Sequence, residues 1–277
     1  MENRAFIDKE TLLLGYIASM ATTSSIPHAM TQGFKANGYN AAMVGLNIRA
    51  EDMHFTLDGM KRSQLKGAMI DAAYAHTALR SMETLTPEAK QAEMVDGCVI
   101  VEGKMEGYLV TPKALLASLP VLSHRRIAIF GAGKMAKALL WELEKSDVVE
   151  AVLYVERVES AMQLIHSLPL QRLRVDIARA TRDIPVVLEG FDVALNATTA
   201  GAYAHDAFVD VTCASAMTWV DFAYNKSATP SLFEKFASRN GGSYIGFASI
   251  APALFAHHAT VWFGATPQNL PTPFPRS

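Results

Sequence analysis

The 277-residue chain is long enough for two modest domains and is nearly neutral, with 25 basic and 27 acidic residues. Hydrophobic residues make up 50% of it and charged residues 19%, which is typical of a globular protein with a large core. It contains no basic stripe and no apolar run of about 20 residues, so neither nucleic acid nor a membrane is expected as a partner. Cys98 and Cys213 lie far apart in apolar runs, which predicts buried thiols in a cytoplasmic protein.

Short apolar runs alternate with segments of helical period in the first half. Strands are predicted at Leu12–Ala18, Ala41–Ile48 and Leu65–Ile70, and helices at Pro27–Asn37, Ala50–Arg62 and Ala72–Glu83. A hairpin of Cys98–Val101 and Met105–Val110 follows, and Thr111 is expected to cap the helix after it. This alternation predicts a mostly parallel α/β sheet.

The alternation restarts after a boundary near Pro120–Arg125. Strands are predicted at Arg126–Phe130, Ala151–Val155, Asp192–Asn196, Trp219–Tyr224 and Ser243–Ile245. Helices are predicted at Lys134–Lys145, Glu159–Ser167, Pro230–Arg239 and Ala248–Phe263, the last with Pro252 in its first turn. The second half therefore also has an α/β pattern.

A glycine-rich turn joins the strand Arg126–Phe130 to the helix after it. The residues expected to bind a nucleotide here are Gly131, Gly133, Lys134, Met135 and Ala136. Gly131 permits a tight turn, Gly133 lets backbone amides approach a pyrophosphate, and Ala136 lets the helix pack close to the strand. The helix N-terminus adds a favourable partial charge. The pattern predicts a Rossmann-type dinucleotide site, with a glycine turn that binds no nucleotide as the alternative.

Polar residues follow two strands of this half. An acid about 20 residues after the first glycine binds the adenosine ribose in such folds, and Glu156 lies near that position. Glu156 would repel a 2′-phosphate and Arg157 would attract one; the carboxylate is given more weight, so NAD is expected, with NADP as the alternative. Asn196 and Thr198 are expected beside the nicotinamide ribose, and a simple Asx turn is the structural alternative.

Several short segments occur in an order and spacing that is specific when they are taken together. They are Ser24–Pro27, Gly103–Tyr108, Ile129–Ala138, Asp192–Thr198, Val220–Tyr224, Thr229-Pro230 and Trp262–Gly264. In them the chain resembles the shikimate/quinate dehydrogenase family. The resemblance implies an α/β fold with an N-terminal α/β substrate domain, residues 1–120 and 247–277. It also implies a C-terminal Rossmann NAD(P)-binding domain, residues 121–246, with the last helix returning to the N-terminal domain.

The resemblance is weaker at the residues that transfer protons in the family. Family members carry a Lys in an Asn-Val-Thr-x-Pro-x-Lys stretch and an Asp in an Asn-Thr-Asp stretch; Ala75 and Thr111 stand at these positions. A Gln of the family's last helix corresponds to Leu254. The resemblance places Ser24, Ser25, Thr111 and Tyr224 against the substrate. Since neither Ala75 nor Thr111 is a base near neutral pH, the ordinary chemistry of the family is not expected.

Asp71 and Tyr224 are the candidates to replace the missing pair. Asp71 has an alternative role as the N-cap of the following helix. Tyr74, His76 and Lys113 are weaker candidates nearby. Two adjacent histidines in the last helix, His257 and His258, are most simply one buried and one exposed, and no metal site is expected.

The function predicted from all of this is an NAD(P)-dependent oxidoreductase that acts on a small polar substrate other than shikimate. A homodimer is compatible with the sequence. The alternative is a non-catalytic nucleotide-binding protein that senses or scaffolds.

Overall fold

The computed structural model describes residues 7–122, 126–198, 209–221, 230–265 and 267. The chain divides into two compact units, the first made of Met1–Ala114 with Ala251–Ser277 and the second of Leu115–Ile250. The domain boundaries predicted from the sequence lie a few residues away from these divisions. Both units combine a mainly or wholly parallel sheet with helices, so the predicted α/β class is confirmed.

The first unit is built on a six-stranded sheet in the order β2-β1-β3-β5-β6-β4. Its strands are β1 Leu12–Ala18, β2 Ala41–Asn47, β3 Leu65–Ile70, β4 Thr84–Leu85, β5 Gly97–Val101 and β6 Lys104–Tyr108. The strand β1 runs parallel to β2 and β3, whereas β5 runs antiparallel to β3 and β6. As a result, the carboxyl end of β3, the start of β5 and the carboxyl end of β6 meet at one edge.

The second unit is built on a six-stranded, wholly parallel sheet in the order β14-β13-β11-β7-β8-β9. The strands of this unit are β7 Arg126–Phe130, β8 Glu150–Val155, β9 Arg174–Arg179, β10 Val186–Leu188, β11 Val193–Asn196, β12 Val211–Cys213, β13 Thr218–Asp221 and β14 Ser243–Ile245. The short strands β10 and β12 pair separately. Counted from β7, the six-stranded order is the 3-2-1-4-5-6 order of a dinucleotide-binding Rossmann fold.

Helices cover both sheets. They are α1 Ile26–Ala36, α2 Met53–Met60, α3 Ala75–Leu79, α4 Pro87–Ala92, α5 Thr111–Ala117, α6 Lys134–Leu143, α7 Val158–His166, α8 Leu232–Asn240 and α9 Phe247–Phe263. The long helix α9 enters the first unit at Ala251, so the last helix returns to that unit as expected. Even α9 has only 17 residues, and no helix within the described ranges is both long and apolar enough to cross a bilayer.

The core of the second unit follows from its central strands. Residues Ile127–Phe130 of β7 are buried on both faces, as a strand flanked by parallel neighbours requires. On one face, Phe233 of α8 packs edge-on against Phe130 and Trp219, with ring centroids 5.7 Å and 5.6 Å apart. A capping box at Ser231 and Glu234 fixes the start of α8 and so aims this aromatic face at the sheet.

Two local predictions need correction. The helix expected over Ala72–Glu83 is a 3-10 turn followed by the short α3, which ends at Leu79. It stops early because Glu83 is bonded to the sheet. Its backbone N–H donates to Met105 C=O, and its carboxylate accepts the Met105 N–H. Pro252 is the sixth residue of α9, which begins at Phe247, so it lies in the second turn and not in the first.

The helix α5 is also capped differently from expectation. Thr111 is its first residue, not its cap, since Ala114 N–H already bonds to Val110 C=O. The two N–H groups at this helix start, those of Val110 and Thr111, donate to the carboxylate of Asp96. A side chain distant in sequence therefore does the capping.

The predicted hairpin is confirmed. Its strands β5 and β6 pair from Gly97 with Tyr108 to Val101 with Lys104. Glu102 and Gly103 form a two-residue turn with φ of 52° and 73°. Positive φ at both positions is the type I′ geometry that matches the twist of paired strands.

Candidate nucleotide and substrate sites

The glycine turn after β7 has the backbone that the sequence predicts. Gly131 has φ +108°, and a Cβ there would lie 2.7 Å from Cγ2 of Thr198. Its N–H donates to Tyr154 C=O at 3.0 Å, which ties the turn to β8. Only glycine fits such a position without strain, so this residue fixes the path of the chain over the sheet.

Gly133 differs from Gly131 in what surrounds it. A Cβ built on Gly133 would meet no described heavy atom within 4 Å, so its outer side is open. It is the N-cap of α6, and no side chain caps the helix at this residue. Ala136, one turn on, is fully buried and brings the helix close to the sheet. An open helix N-terminus above a glycine fits the pyrophosphate of a dinucleotide.

The strand β11 ends beside the same turn. Asn196 is 1% exposed, and its Oδ1 accepts hydrogen bonds from the Thr198 N–H at 3.0 Å and the Thr198 hydroxyl at 2.7 Å. This is the Asx turn that the sequence left as an alternative. The Asx turn holds the Thr198 methyl group against Gly131, so the two predicted nucleotide-binding segments share one surface.

The edge formed by β8 and β9 carries three exposed charged residues. Glu156 and Arg157 directly follow β8, and Arg157 is the N-cap residue of α7. Arg179 ends β9 and pairs in register with Val155, the residue before Glu156. The edge therefore presents two guanidinium groups and one carboxylate. Sequence reasoning did not include Arg179, because β9 was not predicted as a strand.

In the first unit, Asp71 follows β3 and its carboxylate is engaged. It accepts a hydrogen bond from the Ala73 N–H at 3.0 Å and one from the Tyr16 hydroxyl at 3.2 Å. The capping role that the sequence offered as an alternative is thus what the structure shows. Ala75, at the position of the family's Lys, is 2% exposed.

The weaker candidates have structural partners or lie on the surface. The Tyr74 hydroxyl donates to Ile48 C=O at 2.6 Å within the core. His76 is exposed. Lys113 forms an ion pair of 3.0 Å with Glu88, which links α5 to α4.

The serines predicted to contact substrate lie at the start of α1. The Ser24 hydroxyl accepts a hydrogen bond from the Ile26 N–H at 3.2 Å, and Ser25 is the N-cap residue of the helix. Leu254 of α9 is 5% exposed. Tyr224 and the segment around it lie outside the described residues.

A buried carboxylate that sequence reasoning missed stands at the edge where β3, β5 and β6 meet. Asp96 is 7% exposed. Its carboxylate accepts the Val110 N–H at 2.9 Å and the Thr111 N–H at 2.6 Å. Burial raises its pKa to about 6, although these hydrogen bonds act in the opposite direction. The signal available in the sequence was an acid inside the apolar run Met94–Val101.

A second buried polar pair lies deeper in the same unit. The Tyr108 hydroxyl and Nδ1 of His258 are 2.9 Å apart, and both residues are almost fully buried. Burial lowers the pKa of His258 to about 3 and raises the pKa of Tyr108 well above its usual value. The ring of Trp262 stacks on His258, with centroids 5.5 Å apart. Burial of one of the two adjacent histidines was expected; its tyrosine partner was not.

A curated relative is the NADP(+)-dependent shikimate dehydrogenase of Methanocaldococcus jannaschii, 24% identical over 202 residues that cover 71% of each chain. No protein-family model matches the sequence. The chain resembles the shikimate dehydrogenases.

Solved structures show the same fold. The ligand-free 5-ketofructose reductase of Gluconobacter sp. strain CHM43 superposes with a TM-score of 0.78 at 18% identity, covering 94% of this chain and 96% of that one. The shikimate 5-dehydrogenase of Listeria monocytogenes, in complex with shikimate and NAD, gives 0.74 at 14% identity and covers 95% of both chains. At such identities the likeness establishes the fold alone.

Proposed function

We propose that this protein is a nicotinamide-nucleotide-dependent oxidoreductase that interconverts a ketone and a secondary alcohol on a small polar substrate other than shikimate. The observation that carries the proposal is the surface shared by Gly131, Gly133 and Thr198 at the end of β7 and β11. It combines the backbone of a dinucleotide-binding turn with the Rossmann strand order. Resemblance to dehydrogenases along most of the chain supports the same reaction class.

Different residues of the second unit would bind different parts of the nucleotide. Backbone amides at Gly133 and the start of α6, including Lys134 and Met135, would hold the pyrophosphate. Asn196 and Thr198 would border the nicotinamide ribose. When bound, the nucleotide supplies or accepts the hydride, so the protein has to orient the substrate and handle one proton.

The choice between the two nucleotides depends on the edge of β8 and β9. The expectation of NAD rested on Glu156 alone. Arg179 now joins Arg157 there, so positive charge exceeds negative charge where a 2′-phosphate would lie. We therefore propose NADP(H) as the preferred nucleotide, with NAD(H) accepted more weakly. The curated relative from Methanocaldococcus is named for NADP(+), which agrees with this preference.

The substrate is proposed to differ from shikimate because Ala75 and Thr111 replace the proton-handling pair that the resemblance implies. Ala75 has no ionisable group and is buried. A substrate whose ketone or alcohol is handled by other residues fits this chain better. The structural likeness to a 5-ketofructose reductase supports a small polyhydroxylated ketone as the first class to test.

Nucleotide binding is tested by titrating the purified protein with NADPH and NADH. Gly133→Ala should weaken NADPH binding at least tenfold, because the added methyl group occupies the open approach to the helix start, and it should leave the ligand-free protein as stable as before. Gly59→Ala is the matched control, since Gly59 also lies in open space but in α2 of the first unit. Equal weakening in both variants, or no NADPH binding at millimolar concentration, would overturn the proposal.

The effect of the charged residues at the edge of β8 and β9 on the choice between NADPH and NADH is tested in the same titration. Arg157→Ala and Arg179→Ala should each reduce the preference for NADPH over NADH, whereas Glu156→Ala should increase it. Tighter binding of NADH by the unmodified protein would show that Glu156 decides the choice.

Turnover is tested by following NADPH oxidation with 5-keto-D-fructose and 3-dehydroshikimate as probes. We expect turnover of the polyol ketone and none of 3-dehydroshikimate. A rate with 3-dehydroshikimate on the order of 10 s⁻¹, which is ordinary for enzymes, would contradict the proposed substrate class.

A further inference from the structure

The first sheet contains a topological switch point, a place where successive connections leave a strand toward opposite sides. Its strand order begins β2-β1-β3, so the chain passes from β1 to β2 on one side and then crosses to β3 on the other. The three strands are parallel, and their carboxyl ends lie at one edge. Open α/β sheets bind ligands in the crevice outside the carboxyl ends of two such strands, here β1 and β3. The topology therefore gives the first unit a candidate ligand site of its own.

Asp71 lies at this switch point. It directly follows β3, and its N–H donates to the C=O of Ile17 in β1 at 2.9 Å. Its Oδ2 accepts a hydrogen bond of 3.2 Å from the hydroxyl of Tyr16, which also belongs to β1. A carboxylate that follows one strand and bonds to a side chain of the other lies at the boundary between the two. Asp71 is half-buried, so part of its surface can still contact a ligand.

The bonds of Asp71 come from neutral groups, which leaves its negative charge unbalanced. Oδ1 accepts the Ala73 N–H, and Oδ2 accepts the Tyr16 hydroxyl. Asp58 of the same unit pairs with Lys61, whereas in the described part of the chain no ion pair reaches Asp71. Each carboxylate oxygen has about two acceptor positions, so each can accept a further hydrogen bond. An ionised carboxylate donates none, so a ligand has to bring the proton.

The loop that follows β1, residues 19–25, borders the same crevice and is fixed to β2. Asn47 at the end of β2 holds it with two hydrogen bonds of 2.9 Å: its Oδ1 accepts the Thr22 N–H, and its Nδ2 donates to the Thr22 hydroxyl. A Cβ on Gly45 would lie 2.7 Å from the carbonyl oxygen of Ala21, so the loop packs directly on the strand. The loop is rich in Ser and Thr and contains no charged residue. It therefore offers neutral donors and acceptors opposite the carboxylate.

We propose that Asp71 makes this site selective for an uncharged polyhydroxylated ketone and excludes ketones that carry a carboxylate. The inference rests on the proposed function and narrows its substrate class. Hydroxyl groups can donate to Asp71 and accept from the N–H and hydroxyl groups of the loop. A substrate carboxylate placed against Asp71 brings two negative charges together with no proton between them, which is a repulsive element of specificity. The same charge disfavours 3-dehydroshikimate, which carries a carboxylate, independently of Ala75 and Thr111.

The experiment measures binding to the full chain by calorimetry, without nucleotide. The probes are 5-keto-D-fructose and 2,5-diketo-D-gluconate, which differ only in whether C1 carries a hydroxyl or a carboxylate. The unmodified protein should bind the first at least about tenfold more tightly, the usual weight of a hydrogen bond to a charged group. Asp71→Asn removes the charge but keeps a residue that caps as well as Asp. It should bring the ratio of the two dissociation constants below threefold.

Three further variants separate charge from structure. Asp58→Asn removes the same charge from α2 of the same unit and should leave the ratio unchanged. Asn47→Ala releases the loop at Thr22 and should weaken the binding of both probes to a similar extent, so the ratio distinguishes selection from positioning. Asp71→Ser is a second uncharged cap and should lower the ratio as Asp71→Asn does, which keeps the test valid if the Asn variant does not fold.

The outcomes for the inference and for the proposed function are distinguishable. A ratio below threefold in the unmodified protein, an unchanged ratio in the folded Asp71 variants, or no binding of 5-keto-D-fructose at millimolar concentration overturns the inference. If the probes bind with the expected ratio and NADPH neither binds nor is oxidised, selection by Asp71 is supported and the oxidoreductase assignment is wrong. If NADPH reduces both ketones equally well, the oxidoreductase assignment is supported and the inference is wrong.

Discussion

Replacing His258 should remove a large part of the first unit's sensitivity to acid. Burial lowers the pKa of His258 from 6.5 to about 3, so the folded protein holds this imidazole neutral while the unfolded chain protonates it. A group whose folded pKa is lowered in this way costs stability as pH falls from 6.5 toward 3. In His258→Leu this pH-dependent loss of stability should disappear, whatever pH-independent change in stability the substitution causes.

The size of the effect follows from the two pKa values. Between pH 7 and pH 5, the unfolded state gains about 2 kcal/mol over the folded state from His258 alone. Asp96 acts in the opposite direction: its folded pKa of about 6 lies above the usual 3.8, so lowering the pH over the same interval adds about 1 kcal/mol of stability. The unmodified protein should therefore lose about 1 kcal/mol from the two groups together, and His258→Leu should gain that amount instead.

The assay is urea unfolding at pH 7 and pH 5 with 5-fluorotryptophan labelling. The chain has three tryptophans, and the fluorine signal of Trp262 reports on the first unit because its ring stacks on His258. The exposed His28 on α1 gives the matched control, His28→Leu, which should keep the wild-type slope. If His258→Leu loses as much stability on acidification as the unmodified protein, the burial argument is refuted.

Three further substitutions test local features. Gly131→Ala should destabilise the second unit by about 1–3 kcal/mol in thermal unfolding, because its Cβ would meet Thr198 at a strained φ; an unchanged Tm would contradict this. Ser231→Ala removes the hydroxyl that bonds Glu234 N–H at 3.1 Å and should cost about 1 kcal/mol, while Ser231→Asn should restore most of it. Lys113→Ala breaks a partly exposed ion pair and should cost under about 1 kcal/mol with no change in NADPH oxidation; a lost rate would give Lys113 a catalytic role.

Features set by nearby residues were predictable from the sequence. The bounds of β1, β3 and β7 agree with the prediction, because each is a compact apolar run with turn residues on both sides. The glycine turn was predictable for the same reason, since its requirement for positive φ and small residues is local. The edge strand β9 was missed because charged residues occupy three of its six positions.

Features set by distant residues were not predictable. Asp96 and Thr111 are 15 residues apart in sequence, and Tyr108 and His258 are 150 apart. No periodicity relates such pairs; they meet because the sheet brings the ends of β5 and β6 together and α9 packs against that sheet. Asp96 lies outside the motifs in which the sequence resembles the family, so the resemblance did not indicate it.

The discontinuous make-up of the first unit has a consequence for its synthesis. Residues 7–114 are translated first, yet contacts such as that between Cys98 C=O and the Trp262 indole N–H, 164 residues apart, need the segment after Ala251. The second unit is continuous and can fold as soon as it has left the ribosome. The sheet of the first unit is therefore synthesised well before α9 can cover it. During that interval its apolar face is exposed, and the nascent chain can aggregate with other chains.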